Sequence, residues 1–131
     1  MSLRVFLVED LKSIHVLMTE LFSFVGGLEV VRIESTEAEA RLWLEENVGG
    51  WDVAIIDLVL AQGSGMGVLQ HARRTSATGQ VAVFSGYVSP GVRQHCLNLG
   101  ADAVFDKAES GAFTAWLAGM RPGSQPASPP T

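Results

Sequence analysis

The chain has 131 residues, 47% apolar and 18% charged, enough to bury one core and too little for two, because compact domains cluster near about 100–150 residues. That balance excludes a coiled coil and disorder over the bulk of the chain. Fourteen acidic against nine basic side chains leave a net charge of −5, the wrong sign for a nucleic-acid backbone binder. Cys96 is the single cysteine, so there is no internal disulfide and no cysteine-built zinc cluster, which suits a reducing cytoplasm.

The N-terminus lacks the basic lead-in and long apolar run of a signal peptide. No stretch approaches the roughly 18 apolar residues of a membrane span; the longest, 53–61, is interrupted by Asp57. A soluble cytoplasmic protein without a membrane partner is expected.

The apolar pattern changes period repeatedly along the chain. A strand-like run at 3–8 precedes a helix predicted over 12–25, with Ile14, Leu17, Met18, Leu21 and Val25 on one stripe and Gly26-Gly27 as its stop. A second run, 28–33, leads to a helix over 36–47, in which Thr36 caps and Glu39 reaches back ahead of Ala40, Leu42, Trp43 and Leu44; Gly49-Gly50 ends it. Runs at 53–58, 81–84 and 103–105 are followed by helices predicted over 65–75, 90–99 and 111–120, the fourth with Pro90 in its first turn and Gly100 after it. Five βα units with strands apolar on both faces predict an α/β, doubly wound, five-stranded parallel sheet covered by helices on each side. The folded domain is expected over 1–120. The last eleven residues, 121–131, hold four of the five prolines and read as a flexible tail.

Sites in such sheets lie beyond the carboxyl ends of the strands. Those positions carry Glu9-Asp10, Asp57, Ser85 and Asp106-Lys107. If the central strands are neighbours, Glu9, Asp10, Asp57, Ser85 and Lys107 converge, while Asp106 points to the other face. Asp57 closes the apolar run Val53-Ala54-Ile55-Ile56, where a charge is costly without compensation. Its plain alternative is a cap for the following turn, and Glu9-Asp10 could be an N-cap pair for the first helix. Taken together, three carboxylates repel unless a cation intervenes, and an all-oxygen set suits Mg²⁺. With Asp57 as nucleophile, and Lys107 and Ser85 donating to phosphoryl oxygens, phosphoryl transfer to a carboxylate becomes sensible chemistry.

Phe6-Leu7-Val8-Glu9-Asp10, Ile55-Ile56-Asp57-Leu58, Gly63-Ser64-Gly65-Met66, Phe84-Ser85-Gly86-Tyr87 and Leu99-Gly100-Ala101-Asp102-Ala103 leading to Lys107 together resemble the bacterial response-regulator receiver domain of two-component signalling, the CheY-like superfamily. The resemblance runs from Arg4 to about Met120 and implies a flavodoxin-like sheet in the order 2-1-3-4-5. It implies a single-domain phosphorelay switch in which Asp57 accepts phosphate from a sensor histidine kinase or phosphotransfer protein. Glu9, Asp10, Asp57 and the backbone carbonyl of Val59 would hold Mg²⁺, and Ser85 and Lys107 would bind the phosphoryl group. Ile14, His15 and Met18 on the first helix would dock the kinase, and output would pass to another protein or through a phosphorylation-dependent homodimer, without direct contact to nucleic acid.

Three features depart from the family's habit. Val104 stands where an aromatic is common, so no rotating ring is expected to report phosphorylation. Ala108 follows Lys107 where a cis proline is usual; a non-proline cis bond costs roughly 2.5–4 kcal/mol, so a trans bond is expected. Ala61-Gln62 replaces a common Pro-Asp pair, which predicts a looser loop. Two rivals stand beside the switch. A haloacid-dehalogenase-like phosphatase would also use a strand-end Asp but expects a second Asp at Val59, and an interaction module independent of phosphate would have no need of the intact acidic set. Val59 and Tyr87 border the site as candidate shields against water. His15, His71 and His95 read as surface histidines, and Trp43, Trp51, Trp116 and Cys96 as packing residues.

Overall fold

The structure, a computed structural model, describes residues 2–86 and 88–120. Strands and helices alternate throughout: β1 Leu3–Val8, α1 Lys12–Val25, β2 Leu28–Glu34, α2 Glu37–Glu46, β3 Val53–Ile56, α3 Gly65–Thr75, β4 Gln80–Ser85, α4 Pro90–Asn98, β5 Ala103–Asp106 and α5 Ser110–Met120. All strand pairs are parallel, and the sheet order is β2-β1-β3-β4-β5. The expected tail, 121–131, and Tyr87 lie outside the described residues.

Alternation along the strands sends side chains to two separate cores. Phe6, Val8, Ala54, Ile56, Val81, Val83 and Val104 meet Ala40 and Leu44 of α2, Val68, Leu69 and Ala72 of α3 and Cys96 of α4. Val5, Leu7, Val53, Ile55 and Phe84 meet Met18, Phe22 and Val25 of α1 and Phe113 and Leu117 of α5. Each Val, Leu, Ile, Phe or Met among them, fully buried, contributes about 1.5–3 kcal/mol. Aromatic stacking adds to both cores, Phe6 on Trp43 at 4.4 Å between ring centroids and Phe84 on Phe113 at 4.3 Å.

Local chemistry explains the boundaries. Thr36 Oγ1 accepts from Glu39 N at 3.2 Å and donates to Glu39 Oε1 at 3.1 Å, so Thr36 caps α2 as expected and Glu39 reaches back to its hydroxyl rather than to its backbone amide. Ser64 and Ser89 cap α3 and α4 through Met66 N and Val92 N, both at 3.1 Å. β2 is not apolar on both faces: as the edge strand it leaves Glu29, Val31 and Arg32 exposed, and a register shift opposite Val5/Phe6 accommodates Val31. On α1 the stripe is rotated from the expected one, with Met18, Phe22 and Val25 buried and Leu17 56% exposed.

The end of the sheet opposite the strand carboxyl termini is tied by one side chain. Arg73, near the end of α3, donates to the carbonyls of Gly100 at 3.0 Å, Ser76 at 3.2 Å and Gly79 at 3.0 Å, and pairs with Asp102 at 2.8 Å. Asp102 Oδ2 also accepts from Val81 N at 2.8 Å, so α3, the start of β4 and the turn before β5 share one network. Among the described residues no helix is long and apolar enough to cross a membrane.

Candidate functional site

Parallel pairing brings the ends of β1, β3, β4 and β5 to one rim. Asp57 follows β3 by one residue and stays in register through its amide, which donates to Val8 O at 3.0 Å; the strand is shorter than the expected 53–58. Its carboxylate is 6% exposed. Oδ1 accepts from the Ser85 hydroxyl at 2.8 Å and from Val59 N at 3.2 Å, and Oδ2 accepts from Lys107 Nζ at 3.3 Å. Gly65 makes the close turn here: a Cβ on it would stand 2.0 Å from the Asp57 carbonyl oxygen.

Glu9 and Asp10 follow β1 but take different environments. Glu9, 2% exposed, accepts from Lys107 Nζ at 3.0 Å and from the amides of Asp10 and Leu11 at 3.1 and 3.3 Å. Asp10 faces the cleft and accepts from Ala61 N at 2.7 Å. Neither caps α1, whose N-cap is Leu11 with no side-chain bond, so the N-cap alternative fails. Ligand oxygens of Glu9, Asp10 and Asp57 lie within 4.8 Å of one another. A cleft of about 460 Å³ opens over them, lined by Asp10, Asp57, Val59, Ser85, Gly86 and Lys107 among others. A second concavity of about 530 Å³ between α2 and residues 62–63 gathers no comparable set.

The electrostatics of the cluster are those of an incompletely compensated anionic site. Burial pushes the Glu9 carboxyl above its ordinary range; the Lys107 hydrogen bond pulls it back and the Asp57 charge adds to the rise, leaving it raised. Burial alone would lower the Lys107 ammonium, but its bond to Glu9 and the charges of Asp57 and Glu9 outweigh that and hold it above its ordinary value. One ammonium faces two carboxylates within 3.3 Å. Three hard oxygen donors with surplus negative charge fit a Mg²⁺ ion.

Glu9, Asp10, Asp57, Ser85 and Lys107 are all at this rim, and Asp106 turns away, binding Ala108 N at 2.8 Å beside a separate hollow. The Lys107–Ala108 bond is trans, as no cis peptide occurs among the described residues. Val104 is buried among the α2–α4 core residues, and its carbonyl receives the Arg93 guanidinium of α4, which also pairs with Glu109 at 2.7 Å. Other expectations need correction. Met18 is 2% exposed and is core rather than docking surface. His15 is half-buried, with Nε2 on the Glu9 carbonyl. His71 is buried with Nε2 at 3.0 Å from Glu45 Oε1, leaving His95 as the exposed one. The loop after Asp57 is not loose: Ala61 N binds Asp10, Gln62 O accepts from Glu37 N at 3.2 Å, and Ser64 N donates to Glu37 Oε1 at 2.8 Å.

An open parallel sheet in the order 2-1-3-4-5, with its acidic residues gathered where the central strands end, defines a flavodoxin-like fold of the CheY type. A family model, the response regulator receiver domain, matches residues 5–112, and the chain belongs to that family of two-component signalling proteins. Solved structures agree on the fold at low identity. The phosphorylated cyanobacterial phytochrome response regulator RcpA is 21% identical with a TM-score of 0.80, covering 100% of both chains. A LuxR-family response regulator from Aurantimonas is 22% identical with a TM-score of 0.77, covering 95% of this chain and 93% of that one. CheY in the CheX-CheY-BeF3-Mg²⁺ complex from Borrelia burgdorferi is 16% identical with a TM-score of 0.76, covering 87% and 89%. No curated protein sequence matches the chain.

Proposed function

We propose that the protein is a cytoplasmic phosphorylation switch that takes a phosphoryl group onto Asp57 from a sensor histidine kinase or phosphotransfer protein. One observation carries the reading: a nearly buried carboxylate held 2.8 Å from a hydroxyl and 3.3 Å from an ammonium, with two further carboxylates beside it. Glu9, Asp10, Asp57 and the Val59 carbonyl would hold Mg²⁺, which when bound offsets the charge of the phosphoryl oxygens. An Asp57 oxygen attacks phosphorus as the phosphorus–nitrogen bond of the donor's phosphohistidine breaks, and the imidazole leaves with the bonding pair. In the acyl phosphate the Asp57 carboxyl no longer carries its own charge, which frees the Ser85 hydroxyl and the Lys107 ammonium to donate to phosphoryl oxygens. Lys107 must then weaken its hold on Glu9, and that exchange of partners is the switch. The chain assists its own phosphorylation and its hydrolysis but turns over no separate substrate. Val59, 64% exposed at the cleft, is placed to limit the approach of water. The signal passes to a protein partner or through a homodimer of the phosphorylated form.

Incubation with Mg²⁺ and acetyl phosphate tests the reading. An acid-stable, base-labile phosphoryl adduct, absent from Asp57→Asn, is expected. No adduct would favour an interaction module independent of phosphate, and sustained hydrolysis of phosphate esters would favour a phosphatase.

A further inference from the structure

The loop that carries Val59 and Ala61 runs through Gly63 into α3, whose first turn holds Gly65 and Gly67, and it is held at several points by a residue from another element. Glu37, the first residue of α2, donates its amide to Gln62 O at 3.2 Å and accepts Ser64 N on Oε1 at 2.8 Å. Its other oxygen receives Arg41 Nη1 at 3.3 Å. The side chain occupies space that two glycines leave open: a Cβ on Gly63 would lie 2.4 Å from Glu37 Cβ, and one on Gly67 2.0 Å from Glu37 Oε2. α2 is itself immobilised by Ala40 and Leu44, both fully buried, so Glu37 is a fixed post. On the far side of the same loop, Ala61 N binds Asp10 and Ser64 pairs with Val59 in an antiparallel bridge.

We propose that Glu37 is a positioning residue for the phosphorylation site, setting the Val59 carbonyl and the Ala61 amide through Ser64 and Gln62; this rests on the Mg²⁺ reading above. An acidic residue in the first turn would favour the helix dipole without touching any loop, so the bonds to residues 62 and 64 are beyond what that role needs. With Glu37 in place the loop is pre-ordered. Without it, the loop around Gly63 and the glycine-bearing first turn of α3 sample other conformations, and the cost of ordering them falls on cation binding. If the competent fraction drops to about one tenth, the apparent Kd rises about tenfold.

The test titrates Mg²⁺ calorimetrically into the full chain and four variants, Glu37→Ala, Glu37→Gln, Gly67→Ala and the double variant Glu37→Ala/Gly67→Ala. Exchange of the Ser64 amide is followed in parallel without Mg²⁺. Gly67→Ala changes no charge and raises helix propensity, yet it drives a methyl into the Glu37 carboxylate. Glu37→Ala and Gly67→Ala should each weaken Mg²⁺ binding about tenfold, with the double variant no weaker than Glu37→Ala, as expected of two changes acting on one contact. Glu37→Gln, which keeps the acceptor, should stay within about threefold, and Ser64 should exchange at least about tenfold faster in Glu37→Ala. Wild-type binding with Glu37→Ala and Gly67→Ala within twofold of it overturns this proposal alone, as does a Glu37→Gln loss equal to that of Glu37→Ala, which would reduce the effect to charge. A wild-type chain that binds no Mg²⁺ overturns it together with the reading it rests on. Should Glu37→Ala not fold, Gly67→Ala and Glu37→Gln still decide the outcome.

Discussion

Replacing Asp10 by Asn should stabilise the protein without Mg²⁺ and destabilise it relative to wild type with Mg²⁺. The carboxylate oxygens of Glu9, Asp10 and Asp57 lie within 4.8 Å of one another. At that separation two unit charges repel by roughly 3.5 kcal/mol at an effective dielectric constant of about 20, and by roughly 0.9 kcal/mol in water. Asp10 borders the open cleft, and the Lys107 ammonium offsets part of the field, so the relief falls between those limits. Asparagine keeps an oxygen for Ala61 N but gives a weaker bond than a carboxylate. The net gain is about 1–2 kcal/mol. With Mg²⁺ at 100 times its Kd, wild type gains about 2.7 kcal/mol, and the variant, short of one ligand, gains far less. Urea denaturation at two Mg²⁺ concentrations measures both differences, and the order of stability should invert between them. An Asn variant less stable than wild type in the absence of Mg²⁺, or an equal Mg²⁺ gain in both proteins, would refute the reasoning.

Ser85→Ala removes a fully buried hydroxyl 2.8 Å from Asp57 and should slow phosphorylation by acetyl phosphate roughly tenfold or more, since a hydrogen bond to a charged group is worth about 1.5–3 kcal/mol; unchanged adduct formation contradicts the role. Gly65→Ala forces a methyl to 2.0 Å from the Asp57 carbonyl and should lower the urea midpoint by an amount equivalent to about 1–3 kcal/mol, as overpacking does. Asp52 accepts Arg4 N at 2.7 Å and the Arg4 guanidinium at 3.1 and 3.0 Å, and its hydrogen bond with the Arg4 side chain holds its carboxyl below the ordinary 3.8. Stability from this partly exposed pair, weakened by solvent screening, is therefore present above pH 3.8 and lost as pH falls through the lower folded value. Asp52→Asn should match that deficit near neutral pH and converge with wild type in strong acid; a deficit that persists there would exclude the linkage.

Alternation of period was enough to read the architecture, because each strand and helix carries its own apolar signature and its own boundary signal, such as Gly26 after α1 or Pro90 at the start of α4. The rim residues were legible for a related reason: a charge such as Asp57 ending an apolar run has few structural excuses. Periodicity could not choose between Leu17 and Met18. They sit about 100° apart on the helix, and only the position of Phe84, Phe113 and Leu117 decides which one enters the core. His71 was misread because a helical histidine carries no sign of which face will be covered. The motifs give Lys107 a role only at the phosphoryl oxygens, whereas it also binds Glu9, its nearer carboxylate at 3.0 Å against 3.3 Å for Asp57. The grip of Glu37 on Ser64 spans 27 positions and has no local pattern, so the loop with Ala61-Gln62 was expected to be loose when its stiffness comes from outside it.

Arg73 gives the molecule a direction. Its guanidinium supplies to Gly100, Ser76 and Gly79 the hydrogen bonds that water would otherwise make, and its pair with Asp102 fixes where β4 and β5 begin. A shift of any of these segments would break several charge-assisted bonds at once. At the opposite rim Lys107 holds Glu9 and Asp57 together, and Asp57 also accepts from Ser85 and Val59, so the bonds there converge on the carboxylate itself. A change of charge at Asp57 therefore acts directly on the bonds of one rim and on none of those that Arg73 makes.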